Sequence, residues 1–273
     1  MDFFKISTQR TKGQVIEVFP EFSVQKSSDI MIRGGRFYAI WDSERNTWVT
    51  DEYQVQILID GALYDAKKEL ENRVGPDTDI IVKPMSNFSN GHWIKFKNYA
   101  KSLQDNFVAL DSQLTFSNTE TKKSDHTSKR LSYPLEKGSF NAYDELMSVL
   151  YEPSERKKLE WAIGSIVSGD SKTIQKFIVL YGEPGGGKST VLNIIQKLFN
   201  GYYTTFDAKA LTTSGNNFST EVFKDNPLVS IQHDGDLSRI EDNTILNSII
   251  SHEEMMMSEK YKSSYTAVSH SML

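Results

Sequence analysis

The sequence predicts an α/β fold with a parallel, helix-covered sheet in its second half, preceded by a smaller α+β domain. Three observations carry this. From Phe177 onward, short apolar runs alternate with amphipathic stretches, the rhythm of strand then helix. The segment "LYGEPGGGKSTVLNII", Leu180 to Ile195, sets a glycine-rich turn between an apolar run and an apolar-periodic one. Before residue 150 the patterning is mixed, with hairpin-like alternation next to helical spacing. The boundaries read from these shifts are 1–150 for the first domain and 151–273 for the second.

Composition bounds the class. The 273 residues are 25% charged and 38% hydrophobic, as in a globular chain able to bury a sizeable core. Cysteine is absent, so neither disulfides nor thiolate metal sites are expected, and an intracellular, cytoplasmic setting fits best. The opening "MDFFKISTQRTKG" lacks the apolar core of a signal peptide, and no run reaches membrane-spanning length. Net charge is −5, so bulk charge does not announce nucleic acid. A few lysines facing a pore would suffice for that.

Along the chain, "DIMIRGGRFYAIW" and "NTWVT" flank "DSERN" as a hairpin. Thr50, Asp51 and Glu52 open a helix, with acids at the positive end of its dipole and Val55, Leu58, Ile59 and Leu63 as its apolar face. A second helix is expected over "WIKFKNYAKSLQDNFVAL", where Trp93, Phe96 and Tyr99 recur every three residues. The polar stretch "SNTETKKSDHTSKRLS" reads as a linker or exposed loop. A further helix starts at Pro153 and ends near Gly169, with Leu159, Ala162, Ile163, Ile166 and Val167 on one face. "FIVLY" reads as a buried parallel strand, "KSTVLNIIQKLF" as a helix stopped by Asn200 and Gly201, and "YYTTF" and "PLVSIQ" as further strands.

Gly182, four residues, then Gly187, Lys188 and Ser189 satisfy G-x-x-x-x-G-K-[ST]. Glycine admits positive φ, so successive N–H groups can converge on an anion. The following helix start adds unsatisfied amides and a positive dipole end. The residues assigned to nucleotide binding are Gly182, Glu183, Pro184, Gly185, Gly186, Gly187, Lys188, Ser189 and Thr190. Lys188 reaches the β- and γ-phosphates, and the Ser189 hydroxyl ligates Mg²⁺. ATP and Mg²⁺ are the expected cofactors of a P-loop NTPase. Hydrolysis also needs a carboxylate at the end of a nearby strand, and "PLVSIQHDGD" offers Asp234 on the metal side and Asp236 for polarising water. His233 beside them reads as a hydrogen-bonded structural residue.

With both motifs placed, the chain resembles a superfamily 3 helicase of the phage and plasmid primase-helicase kind, a group related to the poxvirus primase-helicase. "GRFYAIWD", "LDSQLTF" and "KRLSYPL" are similar to the domain before the motor in that group. "LYGEPGGGKST" matches its nucleotide loop, and "HDGDLSRIEDNTILNSIISHEEMMMSEKYKSSY" its acidic motif, helix and DNA-contacting hairpin. The resemblance implies an AAA+-like core of strand order 5-1-4-3-2, a homo-hexameric ring, single-stranded or forked DNA as partner, and possible contacts with other replication proteins. It places Lys260 and Lys262 at the hairpin tip, where a small positive charge tracks phosphates without reading sequence. Tyr261 would stack a base or pack under the hairpin, and Met255, Met256 and Met257 would pack it.

Two departures stand out. Gly235 separates Asp234 from Asp236, where the family often has adjacent acids. "SYTAVSHSML" ends where the family's sensor strand should run, so neither a sensor residue nor an arginine finger can be assigned, and a C-terminally truncated motor is expected. A small-molecule kinase would need lid arginines, and only Arg239 lies beyond the nucleotide loop. A binding module with an incomplete ATPase is the other rival, with Phe37, Tyr38, Trp41 and Trp48 either as its docking surface or as core.

Overall fold

The computed structural model describes residues 1–11, 13–34, 37–212, 219–233, 235, 243–258 and 264–273. The chain forms two compact units, one of residues 1–109 and 120–128, the other of 110–119 and 129–273. The chain therefore passes between units three times. The division differs from a single boundary at residue 150 because Phe116 and Leu131 are buried in the core of the second unit.

In the first unit, β1 (Lys5–Thr11) pairs antiparallel with β2 (Val15–Glu21). The strands β3 (Ile30–Arg33), β4 (Phe37–Asp42) and β5 (Thr47–Val49) form an antiparallel meander. Helix α1 (Glu52–Glu71) starts where the Asp51 carboxylate accepts the Gln54 N–H at 2.9 Å, satisfying a donor the helix cannot. Its Val55, Ile59 and Leu63 are buried and Leu58 packs at the edge of the core, as their spacing predicts. Strand β6 (Asp79–Val82) then pairs in parallel with β2. Tyr38, Trp41 and Trp48 are all buried, so these rings are core and not a docking surface.

Helix α2 (His92–Ser102) ends sooner than its periodicity suggests. The reason lies in the residues after it. Asn106 accepts the Ile32 N–H through Oδ1 and donates from Nδ2 to the Ile30 carbonyl, both at 2.8 Å, and Asp105 accepts the Gly34 N–H at 2.7 Å. These side chains satisfy the free edge of β3, which a continuing helix would abandon.

The polar stretch after residue 117 is likewise structural. Trp48 donates its backbone N–H to Thr127 O at 2.8 Å and its indole N–H to Lys123 O at 3.0 Å. Thr121 and Thr127 are buried. A composition with almost no apolar side chains still closes a core when its carbonyls are the needed acceptors. The same logic applies to Asp60 on α1, a buried carboxylate accepting the Met85 and Ser86 N–H groups at 2.5 and 3.1 Å. Asp60→Ala leaves both donors without their acceptor, and denaturant titration should show a loss of about 1–3 kcal/mol.

The second unit opens with α3 (Asn141–Leu150), α4 (Pro153–Ser168) and the single turn α5 (Ser171–Ile174). Pro153 starts α4, and Gly169 ends it at φ +76°, a left-handed cap. Leu159, Ala162 and Ile166 are buried while Val167 is exposed, so the apolar face is narrower than expected. Helix α6 (Lys188–Leu198) leads to β7 (Tyr203–Thr205), α7 (Ala208–Thr212) and β8 (Val229–Ile231). β7 and β8 pair in parallel, Tyr203 opposite Val229 and Thr205 opposite Ile231. Met272 adds a parallel bridge to Val229.

The run Phe177–Tyr181 does not form the expected buried strand. Ile178 donates one backbone hydrogen bond to Leu273 O at 3.0 Å. One bond does not make a ladder, and Val179 and Tyr181 are 57% and 98% exposed.

Helix α8 (Thr244–Ile250) precedes a hairpin of β9 (Glu254–Met257) and β10 (Tyr265–Val268), with Met257 opposite Tyr265. Met255 and Met257 are buried beside Phe223 and Ile249, whereas Met256 points outward, as strand alternation requires. Only two of the three methionines pack the hairpin.

His252 and His270 lie in this unit with ring centroids 6.1 Å apart. Burial pushes both imidazoles below the ordinary 6.5, with Lys172 adding repulsion to each. In the unfolded chain they bind protons near 6.5, in the fold only at lower pH. Their contribution to stability is therefore full above 6.5 and is lost as pH falls through the folded values. Calorimetry should give a melting temperature that is level from pH 8 to 7 and falls by pH 5.5. The fall should be shallower in a His252→Gln, His270→Gln double variant.

Candidate phosphate-binding loop and its surroundings

Glycine is required where the chain turns into α6. Gly185 and Gly187 sit at φ +83° and +77°, a region that costs other L-residues roughly 1–2 kcal/mol. Space is also restrictive. A Cβ on Gly186 would come within 3.1 Å of the Glu183 carbonyl oxygen, and one on Gly187 within 2.6 Å of Leu150 Cδ2. Leu150 ends α3, so α3 packs its last side chain against the turn, while its Met147 is buried with Val191 of α6 and Leu159 of α4. The loop is thus held from one side and open on the other, where Gly182 to Gly186 are exposed.

The Lys188 ammonium folds back over the loop, donating to Gly182 O at 2.8 Å and Glu183 O at 2.7 Å. The first bond inside α6 runs from Val191 N–H to Gly187 O at 3.0 Å. No side chain caps this end of the helix. The N–H groups of the first turn have no acceptor within a helix, and here they stand beside a cation with a positive dipole end behind them. Chemically, such an arrangement offers several donors and a positive charge on one side of the turn.

Lys188 and Ser189 also line a cavity of about 300 Å³, together with Gln232, His233 and Gly235 past the end of β8. His233 is exposed, its Nε2 3.1 Å from the Gln196 amide nitrogen on α6, while Gln232 accepts the Ala208 N–H at 3.2 Å. The reading of His233 as a hydrogen-bonded residue agrees with this contact. Sequence reasoning missed Gln196 and Leu150. Neither carries a motif: Leu150 meets the turn at Gly187, and Gln196 meets His233, only in the folded chain.

The turn carries the groups that a nucleoside triphosphate with its magnesium would need. It combines uncapped amides, a lysine whose present partners are neutral carbonyls, positions too tight for a Cβ, and a hydroxyl at Ser189. Of the other assigned residues, Asp234, Asp236, Lys260 and Lys262 lie outside the described residues, as do Tyr261 and Arg239. Among the described residues no group of three or more histidines, cysteines or acids is placed to hold a metal. No described helix is long and apolar enough to cross a membrane.

Residues 180–273 match a family described as a family of unknown function, DUF5906. The match covers the loop and everything after it, less than half of the chain. Among solved structures, the chain is similar to one titled the A form apo structure of the NrS-1 C-terminal region, at 9% identity and a TM-score of 0.45. That likeness covers 86% of this chain and 49% of the other, so the chain spans about half the length of that structure. Comparison with curated proteins found no match.

Proposed function

We propose that the second unit is a P-loop ATPase core of AAA+ type and that the protein acts in DNA replication as a superfamily 3-type helicase. The observation supporting this most directly is the Gly182–Thr190 turn. Left-handed glycines lead into an uncapped helix, and the Lys188 ammonium rests on loop carbonyls. In this reading Lys188 exchanges two neutral acceptors for the β- and γ-phosphate oxygens, which form stronger, charge-assisted bonds. The Ser189 hydroxyl holds Mg²⁺ with Asp234, and Asp236 orients the attacking water. Bound ATP supplies the transferable phosphoryl group, while the residues of the chain position it and neutralise its charge. Lys260 and Lys262, between β9 and β10, are assigned to the phosphates of single-stranded DNA, and ring assembly to several copies of the chain.

The antiparallel pairing of β9 with β10 supports the DNA part, because both lysines fall between these two strands in sequence. The docking-module alternative loses three of its four rings, since Tyr38, Trp41 and Trp48 are core while Phe37 is half-buried. The experiment is ATP hydrolysis with and without single-stranded DNA. Magnesium-dependent turnover that rises with DNA, and DNA affinity that falls in Lys260→Ala, Lys262→Ala, are expected. ATP binding without turnover would favour a binding module. Turnover stimulated only by a small phosphoryl acceptor would favour a kinase.

A further inference from the structure

The second unit holds a group of basic side chains with no part in the proposed ATPase. A cavity of about 160 Å³ lies where residues 112–114, the end of α4, the start of α5, His252 and His270 meet. It contains neither Lys188 nor Ser189. Its polar lining is Lys172, the two histidines, Gln113 and the serines Ser112, Ser168 and Ser171. No carboxylate lines it. Asp170, nearest in sequence, is engaged by Ser168 Oγ at 2.6 Å and is not part of the wall.

Three features of the wall are unfinished. His252 is 5% exposed, and its Nδ1 is buried with no hydrogen-bond partner among the described residues. His270 commits Nδ1 to Asn226 Oδ1 at 3.0 Å, and that oxygen also accepts the His270 backbone N–H, so Nδ1 is the donor and Nε2 is left over. Lys172 has no ion-pair partner within the described residues, although it lies within electrostatic reach of both rings. Lys172 is a donor and both rings become full donors once protonated, so with no acid in the wall the cavity suits an acceptor. A metal cation is the wrong answer, because the ammonium repels it and only two imidazoles are present.

We propose that this cavity is a receptor for a small tetrahedral oxyanion of the phosphate class, held by Lys172, His252 and His270 and separate from the Gly182–Thr190 loop. The volume admits several waters or one such ion, but not a whole nucleotide. The anion neutralises Lys172 and turns both rings into donors, so it binds more tightly as the pH falls toward 6. The phosphate could be a free ion or the terminal group of a DNA strand, and the test separates these.

The test uses the full chain carrying Lys188→Ala, so that the loop does not compete. The Cε1–H resonances of His252 and His270 are followed by NMR at constant ionic strength, with potassium phosphate replacing potassium chloride. Saturable binding should raise both imidazole pKa values by about 1–2 units, the usual effect of an adjacent opposite charge. Lys172→Gln, at an exposed position that leaves the core intact, should weaken the response about tenfold or more. A 5′-phosphorylated oligonucleotide giving the same Lys172-dependent response assigns the phosphate to DNA, and a response to inorganic phosphate alone assigns the free ion. No response to either, an equal response in Lys172→Gln, or an equal shift of His126, which belongs to the first unit, overturns the proposal. Because Lys188 is absent throughout, either result leaves the ATPase reading to its own test.

Discussion

Lys188→Ala is expected to weaken ATP binding by about 10- to 100-fold and to abolish turnover. Each charge-assisted bond from an ammonium to a phosphate oxygen contributes about 1.5–3 kcal/mol, and no other described cation lines the loop's cavity. The folded state should scarcely notice. In the structure Nζ bonds only to Gly182 O and Glu183 O, which are exposed and can take water instead. The melting temperature should therefore stay within the range of a surface substitution, about 0.5 kcal/mol either way. The pair of measurements is the check: calorimetric titration with ATP and a thermal scan of the same preparation. Retained affinity would mean that phosphate is not held at this loop. Lost affinity with a collapsed melting temperature would mean that the lysine is structural.

The second large effect is expected at Tyr202. This side chain is fully buried in the cluster of Phe116, Leu131, Phe199, Leu228 and Val229. Its hydroxyl donates to Lys129 O at 2.6 Å and accepts the Thr115 N–H at 3.2 Å. One ring thereby ties two segments distant in sequence to the parallel strands. Burial holds the phenol up at about 12, so it remains neutral and able to donate across the working pH range. Tyr202→Phe keeps the ring and strips both bonds, and should cost about 1–3 kcal/mol. Tyr202→Ala also empties the cavity and should cost about 3–5 kcal/mol, enough to unfold a marginal unit. Urea titrations of the two variants should fall in that order. Equal losses would mean that the hydroxyl contributes everything and the ring nothing.

What could be read from the sequence was what depends on neighbours along the chain. The glycine turn into α6 was legible because its glycines and the helix start at Lys188 lie within a few residues of one another. Helix α1 was legible because Val55, Ile59 and Leu63 repeat on one face. The end of α2 was not, because Asp105 and Asn106 answer donors and acceptors on β3, more than 70 residues away. The polar stretch after residue 117 was misread for a related reason. Its contribution is made by carbonyls of Lys123 and Thr127, and backbone atoms leave no trace in composition. The run Phe177–Tyr181 failed the other way, since an apolar run is a strand only if other strands pair with it. The cavity beside His252 left no sequence signal at all, as its wall is drawn from five separate stretches.

The threefold passage of the chain between the two units has a consequence for biosynthesis. A ribosome releases residues in order, yet Trp48 must wait for Lys123, 75 positions later, before its indole N–H is satisfied. Elongation at about 5–20 residues per second makes that delay on the order of 10 s. Throughout it the nascent first unit lacks its closing segment, and Trp48, 2% exposed when folding is done, is left partly uncovered. By the time residue 128 emerges, residues 110–119 are already outside and their partners beyond 129 are not. The first unit can close only once residue 128 is out, and the second only after the residues beyond 129 follow. A polypeptide cut at residue 109 should accordingly be a client for chaperones, whereas one extended to 128 should acquire protease resistance in its first unit.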